Sequence, residues 1–164
     1  MKSYFFGFLA FIGFSFQTLN AQFKRSEAVF VEVKGSGINL TLNYDTRFSK
    51  KINGIGGSIG FGYLGDKYEN AMNLPIAVNY LVGSKRNFFE MGIAAVWSEY
   101  NIESDDQAGF VKTYVTHLQG WAFAVIAGYR YQQAGKIFFR IDATPVFSKC
   151  KTYPLAGFSV GYSF

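Results

Sequence analysis

The chain has 164 residues, which is room for one domain. Its formal net charge is +5, and aromatic residues make up 20% of it while charged residues make up only 16%. An aqueous surface usually carries more charge than this, so part of the apolar excess is expected to face something other than water. The sequence contains no basic helix and no basic-aromatic motif, and we therefore predict no nucleic-acid partner.

The N-terminus has the pattern of a secretory signal peptide. Lys2 precedes an apolar run over residues 4–16, and a polar spacer leads to a small residue, Ala21. The apolar run is shorter than the roughly 20 residues that a transmembrane helix needs. We therefore predict a signal peptide over residues 1–21 and a single exported domain over residues 22–164.

After this segment the chain alternates apolar and polar residues with period two, which is the pattern of β-strands. Gly35-Ser36-Gly37 fits either a tight hairpin or a glycine kink in one long strand, and the sequence leaves both open. The alternation predicts about eight strands, over residues 27–34, 38–48, 54–64, 74–82, 88–98, 119–131, 136–147 and 155–164.

The predicted connections alternate between short and long. The short turns are 49–53, 83–87 and 132–135, and the long polar loops are 65–73, 99–118 and 148–154. In an antiparallel up-and-down barrel this order places all the long loops at one end, as in transmembrane barrels. The predicted fold is therefore an all-β, closed, antiparallel up-and-down transmembrane barrel.

The charged residues of the predicted strands fall on the face that is rich in small and polar residues. The interior of an eight-stranded barrel is just wide enough to be filled by side chains. We predict that a structural network fills this lumen, in preference to an ion or proton pathway or a pore. Its four acidic and four basic residues would neutralise one another: Glu32, Lys34, Asp45, Arg47, Glu90, Arg130, Arg140 and Asp142.

The large aromatic residues of the opposite face cluster near the strand ends. One group lies toward the short turns (Tyr44, Phe48, Tyr80, Phe89, Tyr129, Tyr131, Phe139, Tyr162 and Phe164), and the other lies toward the long loops (Phe61, Tyr63, Trp97, Trp121, Phe123 and Phe147). Two such belts are typical of a barrel whose apolar face contacts lipid. Pro145 interrupts its strand near the rim and predicts a local bulge.

The signal peptide, the eight alternating strands, the short turns against long loops and the aromatic C-terminal strand resemble the small OmpA/OmpX-like eight-stranded outer-membrane β-barrels of Gram-negative bacteria. An uncharacterised group of outer-membrane barrels is also similar to the chain, over the stretches LNYDTRF, LPIAVNYLVG, FFEMGIAAVW, GYRYQ, IFFRIDATPVF and LAGFSVGYSF. The resemblance implies an outer-membrane location. It also implies that Tyr162 and Phe164 occupy the positions of the signal read by the barrel-assembly machinery. Members of the class have many roles, so no single function is implied.

Candidate catalytic groups are sparse. His117, the single histidine, shares a loop with Ser104, Asp105 and Asp106, but the spacing gives no evidence that they converge. Glu103–Asp106 lacks the pattern of a calcium-binding loop, and Cys150 is the single cysteine, which excludes an internal disulfide. We predict no enzymatic activity, no metal and no cofactor.

The predicted function is structural or interactive: a plugged, monomeric barrel in the outer membrane that contacts lipid and presents its external loops to a protein partner. Three alternatives remain open at this point. They are an outer-membrane enzyme, a subunit of a larger outer-membrane complex, and a soluble lipocalin-like lipid carrier whose apolar face points inward.

Overall fold

The structure, a computed structural model, describes residues 26–65, 69–102, 119–149 and 151–164. The predicted signal peptide, Glu103–Asp106, His117 and Cys150 lie outside these residues. Within the described ranges, no helix is long and apolar enough to cross a membrane.

In the described residues, eight strands form one closed antiparallel barrel in which each strand pairs with its neighbours in the chain and the first pairs with the last. This confirms the predicted up-and-down barrel. The strands are β1 (Glu27–Lys34), β2 (Leu40–Arg47), β3 (Gly54–Gly65), β4 (Glu69–Ser84), β5 (Asn87–Ile102), β6 (Gly120–Tyr131), β7 (Lys136–Phe147) and β8 (Thr152–Ser163). The shortest strands are β1 and β2, with 8 residues each, and the longest are β4 and β5, with 16 residues each.

The apolar and polar residues that alternate in the sequence lie on opposite faces of the barrel wall. In β6, Ala122 and Ala124 are buried in the lumen, whereas Trp121 and Phe123 are more than half exposed on the outside. Successive side chains of a strand point to opposite faces. The apolar face of this barrel is therefore its outer face, and the small and polar face lines the lumen.

The first two strands form a hairpin, but its turn is not a tight surface turn. Residues Gly35–Gly37 form a short 3₁₀ turn that is buried, and Ile38 after it is also buried. Gly35 has a φ of +66°, and a Cβ atom there would lie 2.3 Å from Glu32 Oε1. The positive φ favours glycine here, and a Cβ would also displace the Glu32 carboxylate from its place in the lumen. The hairpin alternative is correct, and the turn itself helps to fill the lumen.

Two of the predicted long loops are much shorter than predicted. β4 already begins at Glu69 and β8 at Thr152, so most of 65–73 and part of 148–154 belong to strands. Asn73 explains the first error, because its polar side chain suggested a loop although it is completely buried in the lumen, with Ser98 as its register partner. A polar residue that faces a polar lumen cannot be told from a loop residue by hydropathy.

The predicted bulge at Pro145 is wrong. The register of β6 against β7 is the same on both sides of Pro145, but the ladder skips the pairs of Val125 and Ile126. On its other side Pro145 lies opposite Pro154 in β8. Every second residue pair of an antiparallel ladder has no hydrogen bond between its two residues. Two prolines can therefore face each other at such a pair without the loss of a backbone hydrogen bond. The missing amide hydrogen is accommodated by a gap in the ladder toward β6.

Candidate functional site

The lumen is the one region of the described structure where charged side chains from many strands meet. Toward the end with the short turns (48–53, 85–86 and 132–135), hereafter the short-turn end, lie Phe30 and Phe138. Toward the opposite, long-loop end lies an apolar layer that consists of Ile38, Ala77, Ala94, Val96, Tyr100, Ala122, Ala124, Ile126 and Val146. The charged residues of the lumen form an ionic layer that consists of Glu32, Asp45, Arg47, Glu90, Arg130, Arg140 and Asp142, all buried.

Asp45 of β2 is the centre of one half of the ionic layer. Arg130 of β6 reaches it across the lumen and donates from Nη2 to Oδ1 at 2.8 Å and from Nη1 to Oδ2 at 3.2 Å. Arg47 donates from Nη2 to Oδ2 of Asp45 at 2.7 Å. All three side chains are fully buried. Charge-assisted and bidentate pairs are the strongest class of hydrogen bonds between side chains, so this group links opposite walls of the barrel.

Arg140 of β7 is the centre of the other half, where it contacts three carboxylates. Its Nη2 lies 2.6 Å from Glu32 Oε1, its Nη1 lies 3.3 Å from Glu90 Oε1 and its Nε lies 2.9 Å from Asp142 Oδ2. Arg130 also lies 3.5 Å from Glu90 Oε2. Glu90 of β5 therefore bridges the two arginines, and the two halves form one continuous network.

Asn79 of β4 is a member of the network that charge alone does not reveal. It donates to Glu90 Oε1 at 2.8 Å and to Asp45 Oδ2 at 3.0 Å, and it accepts a hydrogen bond from Arg47. The sequence could have indicated its place in the lumen, because Asn79 lies two residues from Ala77 and therefore on the same face of β4. The network thus connects β1, β2, β4, β5, β6 and β7.

Two phenylalanines on the lumen face support the arginines. The Phe30 and Phe138 rings stack with their centroids 4.8 Å apart. Arg130 Cζ lies 4.6 Å from the centroid of Phe138, and Arg140 Cζ lies 4.9 Å from that of Phe30. A guanidinium over an aromatic face is attracted by the ring quadrupole. The aromatic pair therefore stabilises the two arginines and fills the lumen below them.

Lys34 is the member of the predicted network that does not join it. Its side chain is exposed, and its φ of +64° lies where β1 turns into the buried 3₁₀ segment. The backbone turn ends the alternation that placed Lys34 on the lumen face. The other seven predicted residues do meet, but they comprise four carboxylates and three guanidiniums, so the predicted four-to-four balance is wrong and the layer has one formal negative charge in excess.

The arrangement pairs the buried charged groups with one another. The described residues contain no group of three or more His, Cys, Asp or Glu side chains that could hold a metal ion. Burying charges is costly unless they are paired, and each charged residue of the ionic layer has at least one oppositely charged partner within 4.0 Å, although the Nε atoms of Arg47 and Arg130 have no hydrogen-bond partner. Aromatic, ionic and apolar layers together fill the lumen along its axis.

The C-terminal strand closes the barrel. Phe164 and Glu27 exchange two backbone hydrogen bonds, of 2.9 and 3.1 Å. Tyr162 and Phe164 are both about half exposed on the outer face, and their rings stack with centroids 6.5 Å apart. A Cβ at Gly161 would lie 2.0 Å from Val29 O, so glycine permits the close approach of β8 to β1. The role of Tyr162 and Phe164 as an assembly signal stays a prediction.

The aromatic residues of the two predicted belts lie on the outer face, but their division into two belts by depth stays a prediction. At the short-turn end most of them are exposed, while Tyr131 and Phe139 are half-buried because their rings stack 5.3 Å apart. At the long-loop end Trp97 is half-buried and its register partner Trp121 is exposed.

The comparisons with known proteins identify the fold. The chain is similar in structure to the N-terminal β-barrel domain of Pseudomonas aeruginosa OprF, with a TM-score of 0.57, 15% sequence identity, and coverage of 87% of this chain and 98% of that one. No protein-family model and no curated protein sequence matches the chain. The chain therefore has the closed eight-stranded barrel fold of the OprF N-terminal domain.

Proposed function

We propose that this protein is an outer-membrane β-barrel that spans the membrane with β1–β8 and serves as a rigid, plugged scaffold for the segments at its long-loop end. The observation that supports this proposal is a closed barrel with its apolar side chains outside and its charges inside. In a bilayer every backbone polar group must be paired within the protein, and a closed barrel meets this requirement.

The outer surface supports the membrane location. Large apolar side chains around the wall are about half exposed or more, including Ile59, Val78, Ile93 and Ile141 at 50–66%. A soluble domain would leave this surface in contact with water at a high cost. β3–β8 have 12 to 16 residues each, which exceeds the roughly 9–11 residues that a strand needs to cross a bilayer, whereas β1 and β2 have 8 residues each and the buried Gly35–Gly37 turn follows β1.

The filled lumen supports a structural or interactive role over transport or catalysis. Arg130, Glu90 and Asp45 are fully buried inside the barrel and help to fill its lumen. A soluble carrier would need an inward apolar face and an open cavity for its ligand, whereas this inner face contains the ionic layer. What remains available for partners is the outer surface and the two ends.

The test is the state of the protein in the membrane. Membranes of cells that express the protein should contain it, and urea or carbonate washes should leave it there. An unboiled sample should migrate differently from a boiled one on a denaturing gel, because the folded barrel resists unfolding by detergent. Recovery in the soluble fraction without a mobility shift would refute the proposal.

The partner role requires a separate experiment. A fusion tag placed in residues 103–118 should remain accessible to protease on intact cells if the long-loop end faces outward. Pull-down from detergent extracts then distinguishes a monomer from a subunit of a larger complex, because only the second elutes with stoichiometric partners.

A further inference from the structure

The short-turn end of the barrel is strongly basic. We define the basic rim as five exposed residues, Lys50, Lys51, Lys85, Arg86 and Lys136. Among the described residues of this end, Glu27 is the one acidic side chain, and it is half-buried. The excess of positive charge on this rim is not neutralised by the charged residues of the nearby strands, because those residues are buried and pair with each other in the ionic layer.

The five cations come from three separate turns spread around the barrel. Lys50 and Lys51 belong to the β2–β3 turn, Lys85 and Arg86 form the β4–β5 turn, and Lys136 begins β7. Gln132 N donates to Arg86 O at 2.9 Å, which ties the β4–β5 turn to the end of β6. The charges therefore form a ring on an ordered framework.

Lys85 occupies a backbone position that disfavours lysine. Its φ is +60°, in the left-handed region. A residue with a Cβ pays about 1 kcal/mol or more there, whereas glycine does not. Lysine at this position adds a charge to the rim at a cost in folding free energy that a binding role would offset.

The rim lies directly beyond a belt of aromatic side chains. Tyr44, Phe48, Tyr80 and Phe89 are exposed on the outer face close to the same turns. Aromatic belts lie at the boundary between hydrocarbon and headgroups. Lysine and arginine side chains just beyond that boundary reach the level of the lipid phosphates.

We propose that the basic rim binds the phosphate groups of anionic phospholipids in the leaflet at the short-turn end. The inference rests on the proposed membrane location and adds the class of lipid. Zwitterionic headgroups have no net charge, so a ring of five cations with one nearby acid favours anionic lipids over them. Each Lys or Arg near an anionic membrane surface contributes about 1 kcal/mol, which is about fivefold in an equilibrium constant.

The test compares the urea unfolding equilibrium of the folded protein in two kinds of vesicle, pure phosphatidylcholine and phosphatidylcholine with one fifth phosphatidylglycerol. The wild-type protein should be more stable in the anionic vesicles, by at least about tenfold in its folding constant at low salt, and salt should reduce the difference. The variant K51Q/K85Q/R86Q/K136Q should lose most of this difference, and the charge-conserving control K51R/K85R/K136R should keep it.

Lys85 offers a sharper variant. K85G removes backbone strain and one charge together, so it should raise stability in phosphatidylcholine vesicles while lowering the gain from phosphatidylglycerol. A purely structural role of the turn would change both stabilities by the same amount, which would overturn the inference.

The outcomes separate this inference from the proposed function. Failure to fold into either kind of vesicle would refute the membrane proposal itself. Folding into both with equal stability would overturn the lipid inference and leave the barrel proposal intact. Equal losses for the glutamine variant in both vesicles, or loss of the difference in the arginine control, would also overturn it.

Discussion

The ionic layer permits a test of whether local pairing or overall charge stabilises the lumen. Its seven charged residues have one formal negative charge in excess. Neutralising any single carboxylate therefore makes the layer neutral, and a count of charges predicts the same effect for D45N and E32Q. The contacts predict very different effects.

Asp45 is the single carboxylate within 4.0 Å of Arg47 in the described structure, and it also binds Arg130 at 2.8 Å. D45N leaves two fully buried guanidiniums without their closest counter-charge. Removing one partner of a buried ion pair costs about 3–5 kcal/mol, because the other charge remains buried and uncompensated. Asn retains an acceptor oxygen, so we expect a loss of about 3 kcal/mol in the free energy of unfolding.

Glu32 is in the opposite situation. Its partner Arg140 lies at 2.6 Å but also contacts Glu90 and Asp142 at 3.3 and 2.9 Å. Glutamine at position 32 can still accept from Arg140 and from Ser36. We expect E32Q to cost about 1 kcal/mol, the size of one weakened hydrogen bond.

The assay is equilibrium urea unfolding of the barrel in vesicles, followed by the fluorescence of Trp97 and Trp121 and checked by the gel mobility shift. D45N should lower the unfolding midpoint much more than E32Q, with an unchanged slope. Equal losses for the two variants would refute the reasoning from local contacts and favour a layer that is stabilised by its overall charge.

The remaining predictions concern closure and the lumen. Deletion of Phe164 should sharply reduce the amount of folded protein in the membrane, and H117A should not; equal levels for the two variants would contradict the assembly role of the C-terminal strand. G161A should cost more than about 2 kcal/mol in urea unfolding because its Cβ would lie 2.0 Å from Val29 O. G57A is the matched control, since its nearest atom would be 3.2 Å away, and similar losses would indicate a general glycine effect. In planar bilayers the protein should conduct no more than background, and steady channels would refute the filled lumen.

The sequence was a good guide to the lumen where the strands are regular. Asp45, Glu90 and Arg140 could be assigned to one face from period-two alternation alone, because the pleat of a strand fixes that face. Lys34 failed because the backbone at its own position leaves the strand conformation, and alternation does not foresee where a strand ends. Asn79 was missed because an uncharged polar residue in a strand gave no reason to expect it among the ions.

The sequence determined by itself that the chain forms a closed antiparallel barrel with its charges inside, because alternation and turn spacing are local properties of the chain. Only the tertiary structure decided which charges meet. Arg130 and Asp45 are 85 residues apart, and their contact depends on the stagger of the strands around the barrel. The burial of Gly35–Ile38 was also decided there, because the lumen that surrounds this turn is formed by strands that are distant from it in the sequence.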